Sequence, residues 1–195
     1  MRIATALILA LVALAGCVPT HLRESVRLRP ADWTMEGGGP GRTNEAASAL
    51  RPPLALRWEY DAGAGFGPGS ALAADSFVLV GNQRGEVHAV RLSDGNAAGV
   101  RDFGPAVAGT PALGRKLLYV ALAGEKKSVV GYDLENGRVA WEYAAGDVVA
   151  SPLLTGDRLV VVSLQGSVTC LDAATGEKQW AREASAPRRS VAMRA

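Results

Sequence analysis

The sequence predicts an all-β protein built from repeated four-stranded units. Three observations carry this. Gly and Pro are frequent, 23 and 10 of 195 residues, so the chain turns often, which favours short strands over a helical bundle. Apolar residues recur in short runs, and no helix period appears after the first 16 residues. The chain also repeats itself: three segments align at a period of about 40 residues, the spacing of propeller blades, each a four-stranded sheet.

The N-terminus comes first in the chain and stands apart from the repeats. Met1-Arg2 is a short positive start, and Ile3 to Leu14 is an apolar run of 12 residues. A spanning helix needs about 20, so the run suits an export signal rather than a permanent span. It ends in Leu14-Ala15-Gly16-Cys17, which resembles the bacterial lipobox. That resemblance implies a signal peptide over 1–16 and a diacylated Cys17 as the mature N-terminus. Val18 follows rather than Asp, and by resemblance to lipoprotein sorting this points to the periplasmic face of the outer membrane. Residues 17–31 are polar and Arg-rich, with Pro19 and Pro30, and read as a flexible lipidated tether.

The repeats follow. The first contains Gly69-Ser70-Ala71-Leu72, Phe77 to Val80, Glu86 to Val90 and Asp94-Gly95. The second contains Gly109-Thr110-Pro111, Leu117 to Val120, Ser128 to Asp133, Asn136-Gly137 and Trp141-Glu142-Tyr143. The third contains Ala150-Ser151-Pro152, Leu159 to Val162, Ser167 to Asp172, Thr175-Gly176 and Trp180. Ser70, Thr110 and Ser151 are 40 and 41 residues apart. Pro suits the first, innermost strand, where an edge can spare a donor. The second strand is apolar throughout, as expected if neighbouring blades cover both faces. Asp94-Gly95 and Asn136-Gly137 are dipeptides that accept positive φ in a hairpin. Gly81 to Gly85, Gly124 to Lys127 and Gln165-Gly166 supply the opposite hairpins.

At this point a family resemblance becomes specific. Leu171-Asp172-Ala173-Ala174-Thr175-Gly176-Glu177-Lys178-Gln179-Trp180 resembles the signature of the quinoprotein-type (PQQ-like) β-propeller repeat, as does Tyr132 to Trp141. Asp32 to Gly38, with Arg42-Thr43-Asn44 behind it, resembles the lead-in segment of the same families. Leu54 to Tyr60, with Trp58, looks like an outer strand of the blade that would close a ring. The resemblance covers residues 32–183 and implies an incomplete PQQ-like propeller: about three four-stranded blades plus the lead-in segment, with residues 184–195 as an irregular tail. Gly99 stands where the first repeat should carry its Trp, which puts that outer strand in doubt. One Trp per repeat, on the same strand, is read as blade docking rather than a ligand-stacking surface.

Little in the chain suggests catalysis. The two histidines, His21 and His88, are far apart in sequence, so no metal site is expected. No Gly-x-Ser-x-Gly or phosphate loop appears, and Gly37 to Gly41 reads as a turn. Asp94, Asp133 and Asp172 recur with the repeat and are taken as turn residues. If Cys17 is acylated, Cys170 is a lone thiol, read as buried and inert. Net charge is +2, but Arg2, Arg188, Arg189 and Arg194 lie at the ends, which leaves 17 basic against 19 acidic residues. No basic stripe with interleaved aromatics exists, which argues against nucleic-acid binding.

The family resemblance implies two classes of function. Quinone-dependent dehydrogenases use this propeller, but the alcohol-oxidising kind places a disulfide of adjacent cysteines and a Ca²⁺ at the quinone, and Cys17 and Cys170 are not adjacent. A lipobox, a tether and PQQ-like blades is also the order in the BamB-like family, lipoproteins that assist outer-membrane β-barrel assembly. That resemblance implies a non-catalytic scaffold without cofactor, metal or small-molecule substrate. Its partners would be the membrane, through the lipid, and the β-barrel assembly machinery. An exported repeat protein with another partner is the remaining alternative. Residues 53–183 number 131, just over three blades, whereas propellers close with about four to eight. An open arc with apolar flanks is therefore expected.

Overall fold

The computed structural model describes residues 21–183, apart from 68, 70, 125 and 149. The expected signal peptide, Cys17 and the 184–195 tail lie outside the described residues. Strands β1 (Leu72–Ala74), β2 (Phe77–Gly81), β3 (Glu86–Arg91) and β4 (Ala97–Asp102) form blade 1. Strands β5 (Ala112–Leu113), β6 (Leu117–Ala121), β7 (Val129–Asp133) and β8 (Arg138–Tyr143) form blade 2. Blade 3 consists of β9 (Leu153–Thr155), β10 (Arg158–Val162), β11 (Ser167–Asp172) and β12 (Lys178–Glu183). Each blade is an antiparallel meander in chain order. The first two turns of any such meander fall at opposite ends of the sheet, so each blade has an end with its β1–β2-type and β3–β4-type turns, and an end with its β2–β3-type hairpin.

The outer strand of blade 1 forms despite lacking its Trp. Gly99 pairs with Ala89 just as Trp141 pairs with Gly131 and Trp180 with Cys170. All three third–fourth strand pairs shift register one step later, at Ala89/Val90, Gly131/Tyr132 and Cys170/Leu171. A bulge adds twist at the same depth in every blade.

Side chains of β6 alternate between the two blade junctions, as the period of two requires. Leu118 and Val120 join Leu79, Val87 and Tyr132 in the core between blades 1 and 2. Leu117, Tyr119 and Ala121 join Leu159, Val161 and Leu171 in the core between blades 2 and 3. All of β6 is accordingly buried. The second strands of the two outer blades are not: β2 is mostly half-buried and β10 alternates buried with exposed or half-buried residues. The unbroken apolar run thus reports two covered faces only in the middle blade.

An outer-strand tryptophan locks blade 2 onto blade 3. Trp141 is 9% exposed. Its ring lies against Gly131 of its own blade and against Gly176, in the β11–β12 turn of the next. A Cβ on either glycine would overlap the indole. The indole N–H donates to the Ala173 carbonyl at 3.2 Å. Trp58 packs on blade 1 in the same way two junctions earlier, lying on Gly95 and donating to the Leu92 carbonyl at 3.0 Å. The strand expected over Leu54 to Tyr60 is nevertheless not formed: that segment is extended without a ladder partner. Trp180 has no described blade to dock against and is 38% exposed.

Where Trp is missing, the chain's own N-terminal segment takes its place. Leu22 is fully buried in the core between blades 1 and 2. A Cβ on Gly99 would lie 2.5 Å from the His21 carbonyl oxygen and 2.9 Å from the Leu22 Cα. Gly137, the counterpart of Gly95 and Gly176, meets Arg23 and the Leu22 carbonyl. The Tyr132 hydroxyl donates to the Leu22 carbonyl at 2.7 Å, and the Glu24 N–H donates to the Leu134 carbonyl at 2.9 Å. Val26 and Leu28 pack on the same core, and Arg29 pairs with Asp75. The expected flexible tether over 17–31 is therefore corrected for residues 21–29. The polar composition hid one apolar anchor, Leu22, and a row of backbone partners.

The lead-in segment stitches the innermost strands together. Trp33 exchanges backbone hydrogen bonds with Ala73, and the Thr34 carbonyl accepts from the Leu113 N–H at 2.7 Å. Arg42 donates to the Ser151 carbonyl at 2.8 Å. Gly37 and Gly38, at φ of 75° and 92°, make the turn expected there. The small residue before each Ser/Thr also finds a reason. A Cβ on Gly109 would lie 2.6 Å from the Ser151 hydroxyl, and one on Gly69 would lie 2.7 Å from the Thr110 nitrogen. The Thr110 N–H donates to that Ser151 hydroxyl at 2.8 Å, so the blades close up at their inner ends.

Candidate interaction surface

At the β3–β4-type turns the carboxylates are occupied by their own loops. Asp133 accepts from the Asn136 backbone N–H at 3.0 Å and from the Asn136 side-chain amide at 2.7 Å. Asp172 accepts from the backbones of Ala174 and Thr175 and from the Thr175 hydroxyl. These bonds hold the Asp133 and Asp172 carboxyls below the usual range, through Asn136 in the first case and the Thr175 backbone in the second. Asp94 is not in phase with them. Its turn closes from the Gly95 N–H to the Arg91 carbonyl, as Gly137 closes to Asp133 and Gly176 to Asp172. Arg91 thus stands at the repeated Asp position, and Asp94 at that of Asn136 and Thr175. Asp94 still caps its turn, accepting from the Asn96 N–H at 2.9 Å.

The opposite end carries the β2–β3-type hairpins, and here sequence reading missed a buried polar cluster. Asn82 is fully buried at the blade 1 hairpin. Its side-chain oxygen accepts from the N–H groups of Arg84 at 3.0 Å and Glu86 at 2.9 Å. Its amide donates to the Ala62 carbonyl at 3.1 Å and to the Glu86 carboxylate at 2.7 Å. His88, 6% exposed, lies beside both, with Nδ1 2.9 Å from the Tyr60 hydroxyl and Nε2 3.3 Å from Glu86. The Asn82 hydrogen bond, with His88 adding, lowers the Glu86 carboxyl. Burial, with the Glu86 charge adding, raises the Tyr60 phenol. A buried network with its polar groups paired is rigid, so this hairpin has a fixed shape. Ser163 serves blade 3 more simply, its hydroxyl accepting from the Ser167 N–H at 3.1 Å.

Among the described residues, the hairpin tips at this end present mostly polar and basic side chains, with one exposed leucine. Gln83, Arg84, Lys126, Lys127, Leu164 and Gln165 are exposed. Lys127 pairs with Glu142 at 2.9 Å, an exposed contact worth little to stability. Glu125, inside the expected 124–127 loop, lies outside the described residues.

The two flanks of the arc are apolar, as expected. Leu50, Leu54, Leu56 and Phe66 are 52–84% exposed beside blade 1. A cavity of about 380 Å³ opens between Trp58, Tyr60 and the faces of Val78 and Val80. On blade 3, Val162, Leu164 and Trp180 are 38–65% exposed, although the exposed outer strand β12 is mostly polar, Lys178 to Glu183.

Among the described residues no catalytic constellation emerges. The His88 ring meets Tyr60, Asn82 and Glu86, none of them a nucleophile that it activates. Cys170 is a free, fully buried thiol on β11. Burial, with the Asp172 charge adding, pushes the Tyr119 phenol up to about 12, so it stays neutral in the core. A quinone with Ca²⁺, which quinoprotein dehydrogenases would require, does not fit these residues. Among the described residues no three of His, Cys, Asp and Glu gather where they could hold a metal ion. Cys170 is enclosed in the sheet, and the recurring carboxylates are spent on their own turns. The geometry offers noncovalent contact: rigid hairpins at one end and apolar flanks at either side. Among the described residues no helix is long and apolar enough to cross a membrane. Cys17, the lipid-attachment candidate, lies outside the described residues.

Known structures share this fold. BamB from Moraxella catarrhalis superposes with a TM-score of 0.58 at 24% identity, over 67% of this chain and 43% of that one. The quinohemoprotein alcohol dehydrogenase ADHIIG from Pseudomonas putida HK5 gives 0.67 at 17% identity, over 85% of this chain and 29% of that one. The quinohemoprotein alcohol dehydrogenase from Comamonas testosteroni gives 0.66 at 19% identity, over 79% and 27%. The chain spans less than half the length of each, as an incomplete propeller does. No curated protein sequence matches it. The family model for outer membrane protein assembly factor BamB, however, matches residues 83–195, more than half of the sequence, and the chain belongs to that family.

Proposed function

We propose that the protein is a lipid-anchored, non-catalytic scaffold of the cell envelope that assists the assembly of outer-membrane β-barrel proteins. The observation that carries this reading is the family match over residues 83–195. The placement of the chemistry agrees with it: in-phase carboxylates cap turns, the docked tryptophans hold blades together, and the histidine cluster braces a hairpin. In this account the β2–β3-type hairpins dock onto the barrel-inserting machinery, with Gln83, Arg84, Lys126 and Gln165 at the contact. Diacylated Cys17 holds the protein at the periplasmic face of the outer membrane, since two acyl chains at about 0.8 kcal/mol per buried methylene give stable anchoring.

Two experiments separate the parts of this reading. Tagged protein should co-purify with barrel-assembly components, and recovery alone after mild crosslinking would count against the scaffold role. Cys17→Ala should release the protein from the membrane pellet, and an unchanged pellet would remove the anchor. A second reading, a piece of a quinone-dependent dehydrogenase, draws on the fold likeness over 85% of the chain to an alcohol dehydrogenase. Dye-linked alcohol or sugar oxidation on adding quinone and Ca²⁺ would favour it. The poor fit of the described residues to that cofactor weighs the other way.

A further inference from the structure

The vacant Trp position at Gly99 fixes where the chain leaves the blades, and this has a consequence for how the protein faces a membrane. Leu22 fills the socket that a tryptophan fills at the two neighbouring junctions. The filling is held from several sides. Tyr132 donates to the Leu22 carbonyl at 2.7 Å, Arg23 Nε donates to the Glu135 carbonyl at 3.0 Å, and Glu24 N–H donates to Leu134. The N-terminal segment is therefore fixed at residue 22, on the outer rim where blades 1 and 2 meet. Cys17 is five residues upstream, and five residues of extended chain reach at most about 18 Å. A lipid on Cys17 cannot stray far from this rim.

We propose that the outer rim at the junction of blades 1 and 2 is the surface of the protein that faces the lipid headgroups. This rests on the reading of Cys17 as the acylated residue. The surface chemistry suits anionic headgroups. Arg23, Arg27 and Arg138 are exposed along or beside the inserted segment, against exposed Glu135, and basic residues next to an anchor are drawn to phosphate-bearing lipid. Arg29 is paired with Asp75 and adds less. With the rim against the lipid, the far flank of blade 3 and its hairpin at Gln165 stand away from it, free for a protein partner. A tether that was flexible up to residue 31 would impose no such orientation.

The test uses the full lipidated chain in vesicles of phosphatidylcholine and phosphatidylglycerol carrying a nitroxide on the headgroup. A fluorophore is placed on Glu135→Cys, at the rim, or on Gln165→Cys, on the blade 3 hairpin. Buried Cys170 does not compete for label. Fluorescence at 135 should be quenched and that at 165 should not. A flexible Gly/Ser linker inserted after Pro19 leaves Leu22 in place but lengthens the reach, and should abolish the difference. Equal quenching at the two positions in the unlengthened protein, or stronger quenching at 165, overturns the proposal. The mass of the N-terminal peptide is read in parallel. An unacylated peptide overturns both this proposal and the lipoprotein reading, whereas an acylated peptide with equal quenching overturns the orientation alone.

Discussion

Substituting Trp141 and Trp180 in parallel gives a sharp test of blade docking. The two residues occupy the same place in the repeat, each opposite the same step of the third strand. They differ in having a following blade to dock on. Trp141 is 9% exposed, touches Gly176 of the next blade and sits 5.9 Å from the Tyr119 ring, whereas Trp180 is 38% exposed. Trp141→Ala removes a buried indole and leaves a cavity, which costs about 3–5 kcal/mol. It also leaves the Ala173 carbonyl without its indole donor, for about 1 kcal/mol more. A shift of about 2–4 °C per kcal/mol for a chain of this size puts the fall in Tm at about 8–24 °C. Trp180→Ala uncovers far less and should move Tm by no more than about 4 °C. Differential scanning calorimetry on the two variants and the parent reads this directly. Equal shifts, or a larger one for Trp180→Ala, would refute the claim that docking across the junction gives the residue its weight.

Other expectations follow from particular contacts. Gly99→Ala should eject the N-terminal segment, because its Cβ would sit 2.5 Å from the His21 carbonyl oxygen; trypsin should then cut at Arg23 and Arg27 in the variant but not in the parent. Asp133→Ala should lower Tm at neutral pH. Since the folded carboxyl lies below its ordinary 3.8, that contribution is present above this value and lost as pH falls through the lowered one, so the melting difference should close in acid. A thiol reagent should leave Cys170 unmodified in the folded protein and label it on unfolding, because the sulfur is fully buried; fast labelling of the native chain would contradict its place in the core.

The parts legible in the sequence are those that local pattern determines. Strand positions, the Asn136-Gly137 and Thr175-Gly176 turns and the Trp141 docking role all follow from side-chain period and turn chemistry repeated about every 40 residues. The apolar flanks followed from counting blades. Long-range substitution was not legible. Nothing near Leu22 indicates that it replaces a tryptophan, since its socket is made by Gly99 and Gly137, far along the chain. Gly99 itself was visible as an anomaly, and a search for an apolar residue to fill the gap would have found the signal. The Asn82–His88 cluster was equally hidden, because Tyr60 and Ala62 complete it from outside the repeat. Asp94 is misleading for a different reason: a carboxylate three residues after its expected slot, in the same turn, still caps that turn, so residue type alone does not fix its phase.

Site-specific photo-crosslinking in cells tests the scaffold account most directly. A photoreactive residue placed at Gln83, Lys126 or Gln165 samples the β2–β3-type hairpins, and one at Asp75, Arg115 or Asp157 samples the opposite end of the same blades. The account predicts adducts with barrel-assembly components from the first set and none from the second. Adducts confined to the second set, or none from either while the protein is folded and membrane-bound, would contradict it.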